Sequence, residues 1–246
     1  MDKPRILVFQ HLAIEHPGIF RDCFIEDNIQ WEVVELDLGD PIPDLSGYDA
    51  LWVMGGPMDV WQEQDYPWLV DEKLAIKHAV DELHLPYVGI CLGHQLLASA
   101  LGAEVGPAKC AEVGVMPISL TEDGKAHKIF NGLSDEMHCL QWHSAEVKNV
   151  PNGLRVLASS EHCGVQSLAR GNQIITMQYH QEILSTTVNE WSAIPEYKAS
   201  LQHAMGDNAI EELNQVVNKN MVGFNDTAKK IYHNWRSLVF PERVFS

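Results

Sequence analysis

The stretch 86–102, Pro-Tyr-Val-Gly-Ile-Cys-Leu-Gly-His-Gln-Leu-Leu-Ala-Ser-Ala-Leu-Gly, sets a cysteine between glycines two positions away on either side. The apolar run Tyr87 to Ile90 stops at Cys91, and from Leu92 the apolar residues recur at helical spacing, through Leu96, Leu97, Ala100 and Leu101. That pattern predicts strand, sharp turn and helix, with Gly102 where a left-handed cap would close the helix. Gly89 and Gly93 keep both flanks of the turn bare, so Cys91 is expected to stand exposed between them. A thiol at a helix N-terminus faces unpaired N–H groups and the positive end of the dipole. Both favour the thiolate, the nucleophilic form. The same residues also fit a small buried cysteine between a core strand and a core helix, and the pentapeptide alone does not choose.

Three further groups bear on that choice. Met54-Gly55-Gly56-Pro57-Met58-Asp59-Val60 follows an apolar strand, and ligands of open α/β sheets sit at carboxyl ends of strands. A Gly-Gly turn there leaves backbone N–H groups free to donate to an oxyanion, although a plain turn would read the same. Gln178-Tyr179-His180-Gln181-Glu182 ends the apolar strand Ile174 to Met177. On an extended chain His180 and Glu182 point to one face, where the carboxylate would fix the tautomer of the imidazole and raise its basicity. The plain alternative is a surface His and Glu at a strand end. Gln141-Trp142-His143-Ser144-Ala145 reads as another strand terminus. A metal site among His138, Cys139, His143, His162 and Cys163 is disfavoured, because none has the paired spacing of a structural zinc site.

The elements that must position these groups follow from the periodicity. Buried-type strands are predicted at Arg5 to Gln10 and Ala50 to Met54, an edge strand at Trp31 to Asp37, and a short helix near Ile19 to Asp27. A helix from Pro67 to about Leu83 would turn Leu69, Leu74, Ala75, His78 and Ala79 inward. Strands alternating with helices indicate a doubly wound, mostly parallel α/β sheet. Beyond Gly102 the texture changes to successive strands, Val113 to Thr121, Met137 to Trp142, Leu154 to Ser159, Val165 to Ala169 and Gln173 to Gln178, an added antiparallel portion. From Thr186 the chain reads as helices, around Ala199 to His203, Ala209 to Val217 and Thr227 to Leu238. The expected organisation is a catalytic domain over 1–185 and a helical C-terminal extension over 186–246 packed on it.

Composition bounds the partners. With 17 basic and 34 acidic residues the net charge is −17, which argues against nucleic acid and anionic membranes. No apolar stretch approaches the roughly 20 residues of a membrane span. The first apolar run is too short for a signal peptide. Five scattered cysteines without a CxxC pair read as reduced thiols, so a cytoplasmic location is expected.

Taken together, Gly89-Ile90-Cys91-Leu92-Gly93-His94-Gln95, preceded by Gly55-Gly56-Pro57 and followed by His180-x-Glu182, resembles the class I glutamine amidotransferase domain. The likeness is nearest to the glutaminase half of GMP synthase and its stand-alone relatives, and covers about residues 5–185. It implies a three-layer, flavodoxin-like α/β sandwich and a Cys91–His180–Glu182 triad. Gly56 and Leu92 would supply the oxyanion N–H groups, and Gly55, Gln95, His143 and Ser144 would contact the substrate. The substrate would be glutamine or another γ-glutamyl amide, with no metal or organic cofactor. The chain departs from the family at Gln181, where proline is usual, and at Ser144-Ala145, where GMP synthases carry Gly-Asp. No ATP-binding signature and no synthetase half accompany the motifs. Three roles follow: a glutaminase subunit serving a separate synthetase, a self-sufficient γ-glutamyl hydrolase, or a non-catalytic binding protein on the same scaffold. A glutaminase that serves a partner is expected to complete its oxyanion hole on docking, by a flip of the Gly55–Gly56 peptide. A self-sufficient hydrolase needs the hole preformed.

Overall fold

The computed structural model describes residues 3–241. The ends of the two expected segments, 1–2 and 242–246, lie outside them. In chain order the elements are β1 (Arg5–Gln10), α1 (Phe20–Glu26), β2 (Gln30–Glu35), β3 (Ala50–Val53), α2 (Trp68–Lys77), β4 (Tyr87–Ile90) and α3 (Leu92–Ala100). There follow β5 (Val105–Leu120), α4 (Glu122–Ala126), β6 (Glu136–Val147), β7 (Arg155–Ser159), β8 (Ser167–Arg170) and β9 (Ile174–Met177). The helices α5 (Thr187–Trp191), α6 (Pro195–Met205) and α7 (Ala209–Val239) complete the chain.

The strands form a single nine-stranded sheet ordered β2-β1-β3-β4-β9-β8-β7-β5-β6. The first five are mutually parallel, and antiparallel pairing begins between β9 and β8. Burial on both faces explains why β1, β3 and β4 read as unbroken apolar runs. Along β1, Ile6 and Val8 pack on one face with Phe20, Phe24 and Trp235, while Leu7 and Phe9 pack on the other with Leu69, Ile76 and Leu96. Helices on both faces of the sheet make the three layers. Parallel strands that share an edge bring their carboxyl ends into one row. The order β1-β3-β4-β9 therefore aligns the chain just after Gln10, Val53, Ile90 and Met177.

Four expectations need correction. Helix α2 buries Leu69, Glu72 and Ile76, whereas Leu74 is exposed and Ala75 and His78 are not among its buried residues. An apolar-only reading rotated the helix because one inward position carries a charge, Glu72. Strands β5 and β6 are longer than predicted. Val105–Pro107 pairs with Ala145–Val147, past an irregularity between Pro107 and Glu112, so His143 and Ser144 lie within β6 rather than at its end. The helices predicted at 209–217 and 227–238 are one 31-residue helix, α7, uninterrupted at Gly223. Its buried face, from Leu213 and Val217 through Phe224 to Ile231 and Trp235, is continuous, and that packing outweighs the weak helix propensity of glycine. Finally, the side chains of His180 and Glu182 are buried rather than at the surface, although they do follow a strand end.

Candidate active site

The turn after β4 has the geometry a catalytic residue needs. Cys91 adopts φ 51°, ψ −104°, sterically disfavoured for a residue with a Cβ, and it caps α3. Close packing allows that turn. A Cβ on Gly93 would meet the Val53 carbonyl oxygen at 2.1 Å, and one on Gly89 would meet the Gly93 oxygen at 2.6 Å. The backbone N–H of Cys91 donates to the Met177 carbonyl at 2.8 Å, which ties the turn to the end of β9. The thiol is only 6% exposed, so it does not stand out from the surface as the bare flanks suggested. It borders a cavity of about 110 Å³ that also reaches Gly56, Gln95, His143, Ser144 and Tyr197.

His180 lies three residues beyond the end of β9, pinned by paired hydrogen bonds with the Leu140 backbone at 2.9 and 3.1 Å. Its Nδ1 is 2.6 Å from Glu182 Oε1, and its ring meets Trp191 edge-on at 4.6 Å between centroids. Burial disfavours the imidazolium, but the charges of Glu182 and Cys91 and the side-chain contacts with both outweigh it, so the His180 pKa is well above its ordinary value. Cys91, His180 and Glu182 thus come together, with the imidazole between thiol and carboxylate. The main chain of Glu182 is fixed too, because the Ile19 N–H donates to its carbonyl at 2.8 Å.

The other sequence-predicted residues divide into two groups. Gly56, Gln95, His143 and Ser144 border the cavity. Gly55 does not: a Cβ there would sit 2.5 Å from Glu15 Oε2 and 3.4 Å from His180 Cε1, so it lies beneath the catalytic residues. Among the described residues neither the Gly56 N–H nor the Leu92 N–H has an intramolecular acceptor. Gln95 donates to Gln178 Oε1 at 2.9 Å and to the Ala145 carbonyl at 3.3 Å. His94 is buried against Thr176 Oγ1 at 2.7 Å, and burial first, then the charge of His143, holds its pKa down at about 3. It is neutral and structural.

Several groups at the site went unread in the sequence. Glu15 is buried and accepts a hydrogen bond from the Tyr197 hydroxyl, 182 residues away. Burial pushes the Glu15 carboxyl up, against the opposing pull of His180 and Tyr197. His11 joins the Gly55 carbonyl to Glu72. Glu112 pairs with His143 Nε2 at 3.1 Å and takes a hydrogen bond from Gln166 at 2.6 Å. Its carboxyl is held low, since its bonds to His143 and Ser160 outweigh desolvation. Donor atoms of Glu112, His143 and Cys163 all lie within 4.8 Å of one another, the donor set among the described residues that could hold a metal ion. Only His11 offered a signal, since it directly follows a buried strand at its carboxyl end.

An open α/β sheet carrying a cysteine at the strand-to-helix turn, backed by a buried His–Glu pair, defines a thiol-dependent amidase architecture. The family described as glutamine amidotransferase class-I has a model that matches residues 19–191, and the chain belongs to that family. The glutamine-hydrolyzing subunit of GMP synthase from Sulfolobus acidocaldarius is 33% identical over 63% of this chain and 78% of its own. Gamma-glutamyl peptidase 3 of Arabidopsis thaliana is 28% identical over 67% of this chain and 68% of its own. The crystal structure of a glutamine amidotransferase from Methylobacillus flagellatus superposes with TM-score 0.84 at 30% identity, over 96% of this chain and 95% of its own. Among the described residues no helix is long and apolar enough to cross a membrane.

Proposed function

We propose that the chain hydrolyses a γ-glutamyl amide bond through a thioester on Cys91, with glutamine as the first-choice donor. The thiolate adds to the side-chain amide carbonyl, and the resulting oxyanion is held by the Gly56 and Leu92 N–H groups. His180, oriented by Glu182, protonates the leaving ammonia or amine as the C–N bond breaks. His180 then takes a proton from water, which attacks the thioester and releases glutamate and the free thiol. Gln95, His143 and Ser144 would contact the amino-acid end of the substrate. Gly55 contributes from beneath the site. No step calls for a metal or organic cofactor. The observation that carries the reading is the φ 51° turn that sets Cys91 at the edge of the cavity beside His180.

In the first role the ammonia would pass to a separate synthetase chain, as the name of the archaeal relative suggests. A second reading is favoured by a specific observation. Helix α6 brings Glu196, Tyr197 and Ser200 to the cavity, so the chain builds part of that wall from its own C-terminal helices. A self-sufficient γ-glutamyl hydrolase, the activity in the name of the plant relative, needs such a complete site. The two are separated by assaying the purified chain alone on glutamine and on a γ-glutamyl dipeptide or amine conjugate. Turnover on glutamine at or above that on the conjugate is expected. Turnover on the conjugate well above that on glutamine, with no added protein, would install the second reading. Loss of neither activity in Cys91→Ala would sink both.

A further inference from the structure

His11 is the first residue past β1 and is fully buried. Its Nδ1 lies 2.7 Å from the Gly55 carbonyl oxygen and its Nε2 2.9 Å from Glu72 Oε1, on helix α2. A carbonyl only accepts, so Nδ1 carries hydrogen and donates to Gly55. The ring is stacked against Trp68, 5.5 Å between centroids and 20° from parallel, which leaves it little freedom to turn. Burial disfavours a charge on His11, but Glu72, by charge and by hydrogen bond, and the Gly55 carbonyl reverse that and leave its pKa raised. The link is thus a charge-assisted one in a buried site.

The Gly55 carbonyl and the Gly56 N–H are the two edges of one planar peptide. Fixing the oxygen on His11 fixes the N–H on the opposite edge, where it has no acceptor among the described residues and where Gly56 borders the Cys91 cavity. A Gly-Gly peptide would otherwise flip at little steric cost, because glycine tolerates both backbone hands. A flip here would break the bond to His11 and leave that donor buried without a partner, a penalised state.

We propose that His11 and Glu72 are positioning residues that latch the Gly55–Gly56 peptide, so that the oxyanion hole stands formed in the unaccompanied chain. Neither touches the reacting atoms; they act through the orientation of one N–H. The proposal rests on Cys91-dependent γ-glutamyl hydrolysis and deepens it: the chain needs no partner to assemble its hole.

The experiment compares wild type, His11→Phe, His11→Asn, Glu72→Gln and Cys91→Ala, each as the full chain. Hydrolysis of glutamine and of γ-glutamyl-p-nitroanilide is measured alongside the rate at which iodoacetamide alkylates Cys91, read by mass spectrometry. Alkylation forms no oxyanion, so it reports the fold and the nucleophile but not the hole. His11→Phe keeps a ring to stack on Trp68 and removes the donor. It should lose about 10- to 100-fold in kcat with KM little changed, somewhat less than deletion of an oxyanion donor outright, while alkylation stays within about twofold. His11→Asn, whose amide can donate from the Nδ1 position, should recover most of the loss. Glu72→Gln should fall between the two. The latch is overturned if His11→Phe turns over at the wild-type rate, if alkylation falls in parallel with turnover, or if His11→Asn is as impaired as His11→Phe. A wild-type chain inactive on both substrates also overturns it. Cys91→Ala separates the two levels: turnover that survives it sinks the functional reading, whereas Cys91-dependent turnover indifferent to His11→Phe sinks only the latch.

Discussion

Two buried histidine–carboxylate pairs flank the same nucleophile and are wired differently. In one, His180 gives Nδ1 to Glu182 at 2.6 Å, and the face turned to Cys91 is left for proton exchange. In the other, His11 gives Nε2 to Glu72 at 2.9 Å and Nδ1 to the Gly55 carbonyl at 2.7 Å, so both nitrogens are occupied and no proton is available to a substrate. The first pair can shuttle a proton; the second can only hold. A third pair, His143 with Glu112, also has its other nitrogen against a carbonyl, that of Ala145 at 3.0 Å, and belongs with the holders. Thus the raised pKa of His11 does not mark a catalytic base. What the second nitrogen faces decides the task.

Removing the nucleophile tests the frame common to both pairs. Cys91→Ala should lower turnover by about 10,000-fold or more, in line with nucleophile deletions in thiol and serine hydrolases. Labelling sharpens the point. Burial pushes Cys23 up to about 11 and Cys163 up to about 12, and Cys139 well above the ordinary thiol value, so near neutral pH iodoacetamide should modify Cys91 first and leave those three untouched. Cys110 is exposed and serves as the internal control, expected to react more slowly than Cys91.

The shuttling pair comes next. His180→Ala should cost about 100- to 10,000-fold in kcat. It should also lower the thermal midpoint, because the ring packs on Trp191 in the interior. Glu182→Gln keeps the shape, loses the charge, and should lose less. A wild-type rate in His180→Ala would reassign the base to another residue bordering the cavity, and His143 would be tested first.

The holding pair has the smaller effect, about 10- to 100-fold for His11→Phe on the scale of oxyanion donors. Equal losses on the two sides would erase the distinction between shuttle and holder. The smallest effect is on stability. A histidine whose pKa is raised in the folded state contributes stability that is full below about pH 6.5 and lost as pH rises through the folded value. The midpoint difference between wild type and Glu72→Gln, on the order of 2–4 °C per kcal/mol for a chain of this size, should therefore narrow as pH is raised above 6.5. A difference that widens with pH would contradict a protonated His11.

The motif that could be read directly was the local one. Gly89-Ile90-Cys91-Leu92-Gly93 is a single strand-to-helix turn, and its glycines are needed because Val53 and Gly93 backbone atoms occupy the space of a Cβ. His180 and Glu182 were legible as a pair because their spacing of two is itself the geometry of extended chain. The fold class was legible from fully apolar strands separated by amphipathic segments. Misreadings arose where an inward position was polar, as at Glu72, or where polar residues continue a strand, as at His143 and Ser144.

By itself the sequence determined the candidate nucleophile, its candidate partners past the end of β9, and the alternation that makes a parallel sheet, all carried by residues within one turn or strand of each other. Only the tertiary structure decided that β1, β3, β4 and β9 stand side by side. With that order fixed, His11 meets Gly55 across 44 residues, Glu72 across 61, and Tyr197 reaches Glu15 across 182. Periodicity records which face of an element is apolar, but not which distant element will cover it. A buried polar side chain is stable only once its partner arrives, so its role is written in the packing rather than in its neighbours along the chain.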